Sequence, residues 1–561
     1  MCVVRRAGIL TILMAAASIL VGRAQPAPVD LVLMNGTIVT ADDRFSVAQA
    51  VAVSGERVAA VGTTREIAAL AGPATRRIDL HGRTVVPGLI DNHIHALRAM
   101  TTWPLEVRLE GVYTRRAAVA ALLARAERTG PGGWVFSVGG WTTAQFADDP
   151  RPFSRAELDQ LLPVNPVVLQ ESYYQVFLNS RALQAFGIVQ GQPDPPDFVP
   201  GSIQRDAAGR PTGIIRGDIA ATRPVLGRLP TVPPERMEAG ALALFAELNR
   251  AGLTSLGVPG CSADALEVVR RLRSQNRLTL RIFCIDGPSA ASPAQVDVAL
   301  PVIARTRLFQ GDHVIDQVAF GETVYQPLHD RMFATSSAPA PADLDEWRRV
   351  ATAVAEAGLP LHVHAELATT IDAFLDQIEA INAVRPVRPL RWALAHVNQI
   401  GAAQLQRMQR LGLYAAVHPW AVINGGFMHR DFGDAAFDMP ALRTIQASGV
   451  RWGFGSDGMA ANQYPPFTVL GFAVTGRMAG GRQVNRQTIG REDALLAYTR
   501  NNASLLFQDG QIGSLQPGKL ADLVVLDRAY LAVPAVTIAS LRPVMTMIGG
   551  RVVYDAGVGP R

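Results

Sequence analysis

The run Thr84-Val85-Val86-Pro87-Gly88-Leu89-Ile90-Asp91-Asn92-His93-Ile94-His95 decides how this chain is read. Its apolar part, residues 84–90, has the length and character of a buried strand. Side chains alternate along a strand, so His93 and His95 fall on one side of its end. Two imidazoles so placed form a corner suited to zinc, iron, copper or nickel. Two loop histidines would look the same in isolation, and the rest of the chain must separate the readings.

Downstream, short apolar runs alternate with helical segments, the pattern of a parallel α/β sheet. Residues 89–95, 253–258, 280–285, 314–320, 360–364, 392–396, 414–418 and 452–457 make eight strands. Helical stretches such as 343–357 and 370–383 fall between them, which predicts a (β/α)8 TIM-like barrel. The first strand ends in His93 and His95, the fifth in His362 and His364, the sixth in His396, the seventh in His418 and the eighth in Asp457. Six of ten histidines therefore gather where barrel enzymes keep their active sites.

Two regions fall outside the alternation. Residues 101–235 read as an insertion after the first strand, with strands of their own at 134–138 and 167–170. Residues 25–84 and 506–561 are short strands and turns, expected to pair into one composite β-sandwich because chain termini often lie close together. That leaves 85–505 for the barrel. Within the first β segment, 31–40 reads as strand, Asn35-Gly36 turn, strand, and 50–61 as a hairpin around Ser54-Gly55-Glu56.

Further motifs join the histidines: Asn179-Ser180-Arg181-Ala182-Leu183, Gly209-Arg210-Pro211-Thr212-Gly213, His364-Ala365, Gly455-Ser456-Asp457, Glu492-Asp493-Ala494-Leu495 with Tyr498-Thr499, and Gly513-Ser514-Leu515 with Pro517-Gly518-Lys519-Leu520-Ala521-Asp522-Leu523. With these the chain resembles the amidohydrolase superfamily, in the family 3 branch that includes N-substituted formamide deformylases. The resemblance implies one or two divalent metals, usually zinc. His93 and His95 would ligate the buried metal, and His364 and His396 the second. Asp457 would touch metal and act as general base; the alternative is an aspartate that only orients a turn.

The chain departs from that family in three places. Many two-metal relatives bridge their metals with a carbamylated lysine at the end of the fourth strand, yet the only lysine here, Lys519, lies in the C-terminal β segment. Glu322, just past the fourth strand, is the candidate bridge; a solvated loop glutamate or a single-metal site are the alternatives. His362 is extra, and reads as a neighbour that orients a ligand. His418 stands where relatives often have Gln, and could hold substrate or be structural. Tyr174 takes the place of a histidine near Asn179, and a phenol donates a hydrogen bond but is a poor base at neutral pH. Trp141, Tyr173, Trp420 and Phe427 could give the pocket an aromatic wall, Trp141 as a substrate contact.

Composition is that of a globular chain, 48% hydrophobic and 18% charged. Arg5 and Arg6 precede an apolar stretch from Ile9 to Val21, and Gly22-Arg23-Ala24 supplies small residues for cleavage, so 1–24 reads as a secretory signal. Its loss would lower the formal charge from +5 to about +2, and with no basic stripe in view nucleic acid is excluded as a partner. Cys261 and Cys284 sit in apolar surroundings and read as buried inert thiols, although they could pair. The expectation is an enzyme of the periplasm or cell exterior, free of the membrane once the leader is cut, with a homo-oligomer left open. It would hydrolyse a C–N bond of a small molecule. The same site could serve an ester, lactone or phosphotriester, and a degenerate barrel could merely bind.

Overall fold

A computed structural model describes residues 29–217, 219–331 and 338–557; the leader, 1–24, lies outside the described residues. The eight barrel strands are β1 (Leu89–Asp91), β2 (Leu253–Pro259), β3 (Arg281–Ile285), β4 (Ile315–Glu322), β5 (Leu361–Ala365), β6 (Ala393–His396), β7 (Tyr414–Val417) and β8 (Arg451–Phe454). They lie in sequence order in one parallel sheet. Helices cover it, each presenting one apolar stripe inward. Pro341–Glu356 buries Trp347, Val350 and Val354, and Ala368–Val384 buries Ile371, Phe374, Leu375 and Ile378.

β1 stops at Asp91 rather than running on to His95. The Asp91 carboxylate accepts the amide of His93 and so competes with the strand ladder. It accepts the amide of Ser456 as well, and this begins the closure between β1 and β8. Asn92 donates its amide to Phe454 at 3.3 Å, and Asp457 donates its own to His93 at 2.9 Å. Asn502, in the helix Arg500–Leu505, donates from Nδ2 to the carbonyls of both Ile90 and Phe454, at 2.5 and 2.6 Å.

The two chain ends share a sandwich. Thr84–Pro87 pairs antiparallel with Leu523–Leu526 in a six-stranded sheet. A four-stranded sheet faces it across Leu33, Val51, Val53, Val525, Met545 and Met547. The expected hairpin over 31–40 does not form. Leu31–Met34 belongs to the four-stranded sheet and Thr37–Val39 to the six-stranded one, so Asn35-Gly36 carries the chain across the sandwich. Only glycine fits at 36: a Cβ there would lie 2.8 Å from the carbonyl oxygen of Arg83 and against the Leu80 side chain. The second hairpin, Ala50–Ser54 with Arg57–Gly62, is present.

The insertion folds on a five-stranded sheet that includes Val135–Val138, Val167–Glu171, Gln175–Leu178 and Pro211–Arg216. Trp141 is fully buried there, stacked on Phe146 at 5.9 Å and packed against Phe153 and Phe177. It is the insertion's own core and not a substrate wall, because a flat apolar ring gains most where it is wholly covered. The turn between Val167–Glu171 and Gln175–Leu178 reaches the barrel, where Ser172 Oγ donates to Ala461 O. Tyr173 and Tyr174 are carried over the barrel mouth by that anchor.

Cys261 and Cys284 are joined in a disulfide between the end of β2 and β3, with Cα atoms 5.8 Å apart. The expectation of inert thiols is therefore corrected. Neighbouring parallel strands bring the two Cβ atoms within bonding reach, which spacing along the chain does not reveal. Among the described residues no helix is long and apolar enough to cross a membrane.

Candidate metal centre

The C-terminal ends of the strands bring six of the expected side chains into one cluster. Glu322 Oε1 lies 3.1 Å from His364 Nδ1 and 3.2 Å from His396 Nε2, while Oε2 lies 3.4 Å from His93 Nε2. Asp457 Oδ1 lies 3.2 Å from His95 Nε2 and 3.9 Å from His93 Nε2. Glu322 thus turns one oxygen to each side, the disposition a bridging carboxylate requires. His93 Nε2 is buried without a hydrogen-bond partner among the described residues. A buried lone pair of that kind is costly unless a cation or donor meets it. Among the described residues four triads (His93, His95, Asp457; His93, Glu322, His396; Glu322, His329, His364; and the wholly buried His93, His362, His418) hold their donor atoms within 4.8 Å of one another. The donor set fits a divalent metal of the zinc type.

Three of the four inward-facing imidazoles, those of His93, His364 and His396, are gripped by the other nitrogen, the usual way a metal-ligating ring is oriented. His93 Nδ1 lies 3.0 Å from His362 Nε2, which places His362 behind the cluster as a supporting ring. His364 Nε2 lies 2.9 Å from the Asp330 carboxylate. His396 Nδ1 lies 2.9 Å from His418 Nδ1. A chain of forced polarity settles this last contact. Asn502 spends its amino group on two carbonyls, so its oxygen accepts from Asn92 Nδ2 at 2.7 Å. Asn92 Oδ1 then accepts from His418 Nε2 at 3.2 Å. Neutral His418 is left with an acceptor at Nδ1, so His396 carries its proton on Nδ1 and turns a bare Nε2 to Glu322.

His418 is fully buried behind His396, so the expected contact with substrate is corrected: the ring lies one layer too deep to reach the cavity. Tyr174 does line the cavity, stacked on Phe427 at 4.3 Å with its hydroxyl accepting from Arg430. Tyr173 lines the same cavity, and its hydroxyl accepts from Arg98 at 3.0 Å. Burial raises the Tyr173 phenol, and Asp457 and Glu322 add to the rise. His329 and Asp330 escaped the sequence reading, since they sit in a loop past β4 with no periodicity to mark them. His329 stacks on His364 at 3.8 Å.

Burial favours the neutral form of Glu322, but the charge of His93 and the hydrogen bond from His364 outweigh it and hold the carboxyl well below its ordinary value. Burial is likewise overcome at Asp457, chiefly by the His95 hydrogen bond. Both carboxylates are ionised at neutral pH. Burial, then His364, push His396 down to about 4, and burial, then His93 and His396, hold His418 well below the usual histidine range. The cluster opens into a cavity of about 750 Å³, lined by His95, Glu322, His364, His396 and Asp457 below and by Tyr173, Tyr174 and Trp420 above.

A family model described as the amidohydrolase family matches residues 76–554. The N-substituted formamide deformylase of Arthrobacter pascens is 27% identical over 547 residues, covering 94% of this chain and 98% of that one. A putative amidohydrolase of Bacillus subtilis is 23% identical, covering 86% and 91%. The crystal structure of an uncharacterised metal-dependent hydrolase from Pyrococcus horikoshii has a similar fold, with a TM-score of 0.61 at 20% identity over 90% of this chain and 99% of that one. Barrel, cluster and family model agree: the chain belongs to the amidohydrolase family of hydrolases.

Proposed function

We propose that this protein is an exported, metal-dependent hydrolase that cleaves a C–N bond in a small amide, formamide or cyclic amide. The observation that carries the reading is the convergence of two ionised carboxylates, Glu322 and Asp457, with His95, His364 and His396 on the floor of one cavity and His93 buried against them. The similarity to a formamide deformylase supplies the bond type. His93, His95 and Asp457 would hold one metal; Glu322, His364 and His396 would hold a second, with Glu322 shared. The chemistry such an ion supplies when bound is polarisation of the carbonyl and acidification of water.

The chain's own groups do the rest. Asp457 takes a proton from the attacking water and returns it to the leaving nitrogen, so that a C–O bond forms as the C–N bond breaks. Arg98 donates to the Tyr173 oxygen, which leaves the phenol's proton free to point at the carbonyl oxygen as charge develops there. Export is supported by the leader and by the Cys261–Cys284 disulfide, a bond that persists in oxidising compartments.

Elemental and intact mass spectrometry of protein recovered from the cell envelope tests the reading. We expect a chain lacking residues 1–24, two metals in the wild type, one or none in Glu322→Ala, and hydrolysis of N-alkyl formamides that Asp457→Asn abolishes. One metal in both proteins would remove the bridge. Turnover of esters alone would remove the C–N assignment.

A further inference from the structure

The loop past β4 brings to the cluster a histidine that takes no part in the proposed hydrolysis. His329 stacks on His364 with ring centres 3.8 Å apart, and its Nδ1 lies 2.9 Å from Thr323 Oγ1. Its neighbour Asp330 lies 2.9 Å from His364 Nε2 and accepts the amides of Glu366 and Leu367. The ring is thus fixed twice, through its own nitrogen and through the next residue in the chain. Ligating imidazoles are oriented by holds of this kind. Glu322, His329 and His364 each offer a donor atom, and the three atoms lie within 4.8 Å of one another.

This group shares two members with the second metal position. Asp330 occupies His364 Nε2, so Nδ1, 3.1 Å from Glu322 Oε1, is the nitrogen left for a cation. Glu322 and His364 can therefore act with His396 on one side or with His329 on the other, and His364 Nδ1 cannot serve two ions at once. These are two seats for one ion and not room for a third. They differ in depth. His364 and His396 are 7% and 2% exposed, whereas His329 is half-buried in the cavity wall. Moving an ion from water into a buried site costs heavily unless donors replace its waters. A half-buried imidazole beside a carboxylate lets that exchange proceed in stages, and imidazole suits zinc-type ions.

We infer that His329 completes an outer seat, with Glu322 and His364, through which the second divalent ion enters and leaves its place beside His396. This rests on the proposed two-metal centre and adds the route by which it fills. Stopped-flow mixing of metal-free protein with zinc, and of zinc-loaded protein with an excess of a coloured chelator, follows uptake and release without any substrate. In His329→Ala both rates for the second zinc should fall by about tenfold or more, the scale on which a supporting group of a metal site acts. Elemental analysis of the equilibrated variant should still find two zincs, and its thermal midpoint should match wild type. His329→Asp, which returns a donor, should recover most of the rate. Equal rates in wild type and His329→Ala would overturn the inference. So would a His329→Asp as slow as His329→Ala, because the ring would then serve packing alone. Loss of a zinc from His329→Ala at equilibrium would also overturn it, by making His329 a permanent ligand. Wild type that binds fewer than two zincs would remove the two-metal centre and the inference with it, whereas two zincs with unaltered rates would remove the inference only.

Discussion

Asn502 and Asn92 stand 410 residues apart in the chain and 2.7 Å apart in the fold. Between them and the cavity, His418 fixes which nitrogen of His396 is bare, and this polarity is read from hydrogen bonds with one possible direction. Replacing His418 by Phe keeps the volume but leaves the His396 Nδ1–H without its acceptor. We expect metal affinity to fall by about 10–100-fold in a chelator-competition titration. An unchanged affinity would show that His396 needs no orienting partner. At this scale the sequence spoke selectively. His93, His95, His364, His396 and Asp457 were legible because each closes a predicted strand. His329 and Asp330 were not, since a loop's neighbours are set by tertiary packing. His418 was placed at the right strand end, but nothing in Val417-His418-Pro419 says how deep the ring lies.

At the scale of elements, β2 and β3 are paired by their ladder and then cross-linked by Cys261–Cys284. The bond closes a loop of 23 residues that contains the helix Ala263–Ser274. In the chain-entropy model such a closure stabilises by about 3 kcal/mol. The double variant Cys261→Ser/Cys284→Ser should lose about that much in urea unfolding, and wild type measured with reductant should match it. No difference between oxidised and reduced protein would show that the ladder alone suffices. Strand positions were readable because apolar runs bounded by polar ends recur along the barrel. Pairing partners were less so: Asn35-Gly36 carries a hairpin signal, yet its flanking strands belong to facing sheets. A turn signal reports where a chain bends and not which neighbour awaits it.

For the molecule as a whole, the barrel and the sandwich are fastened by a buried ion pair. Arg281, which opens β3, gives two hydrogen bonds to Asp522 at 2.7 and 2.8 Å, and both side chains are 3% exposed. Asp522 also accepts the amide of Gly549 and directly precedes the strand that pairs with Thr84–Pro87. Arg281→Ala would leave the Asp522 charge buried with only that amide for company, a loss of about 3–5 kcal/mol. We expect a lower thermal midpoint, with the metal cluster intact in what remains folded. A midpoint equal to wild type would mean that water reaches Asp522. The alternation of strands and helices made the barrel legible, and the matching texture of the two chain ends suggested a shared β module. Which charges would weld the two required the fold itself.

The seam beside β1 sets the order of events at the ribosome. His93 and His95 emerge early, but Asn502, which locks β1 to β8, is made some 410 residues later, and Leu523–Leu526, which pairs with the strand before β1, later still. A nascent chain therefore carries an open barrel and unassembled ligands until residues 502–526 have been made. Any ion held by His93, His95 and Asp457 must be captured after that seam has closed, as the closing act of folding.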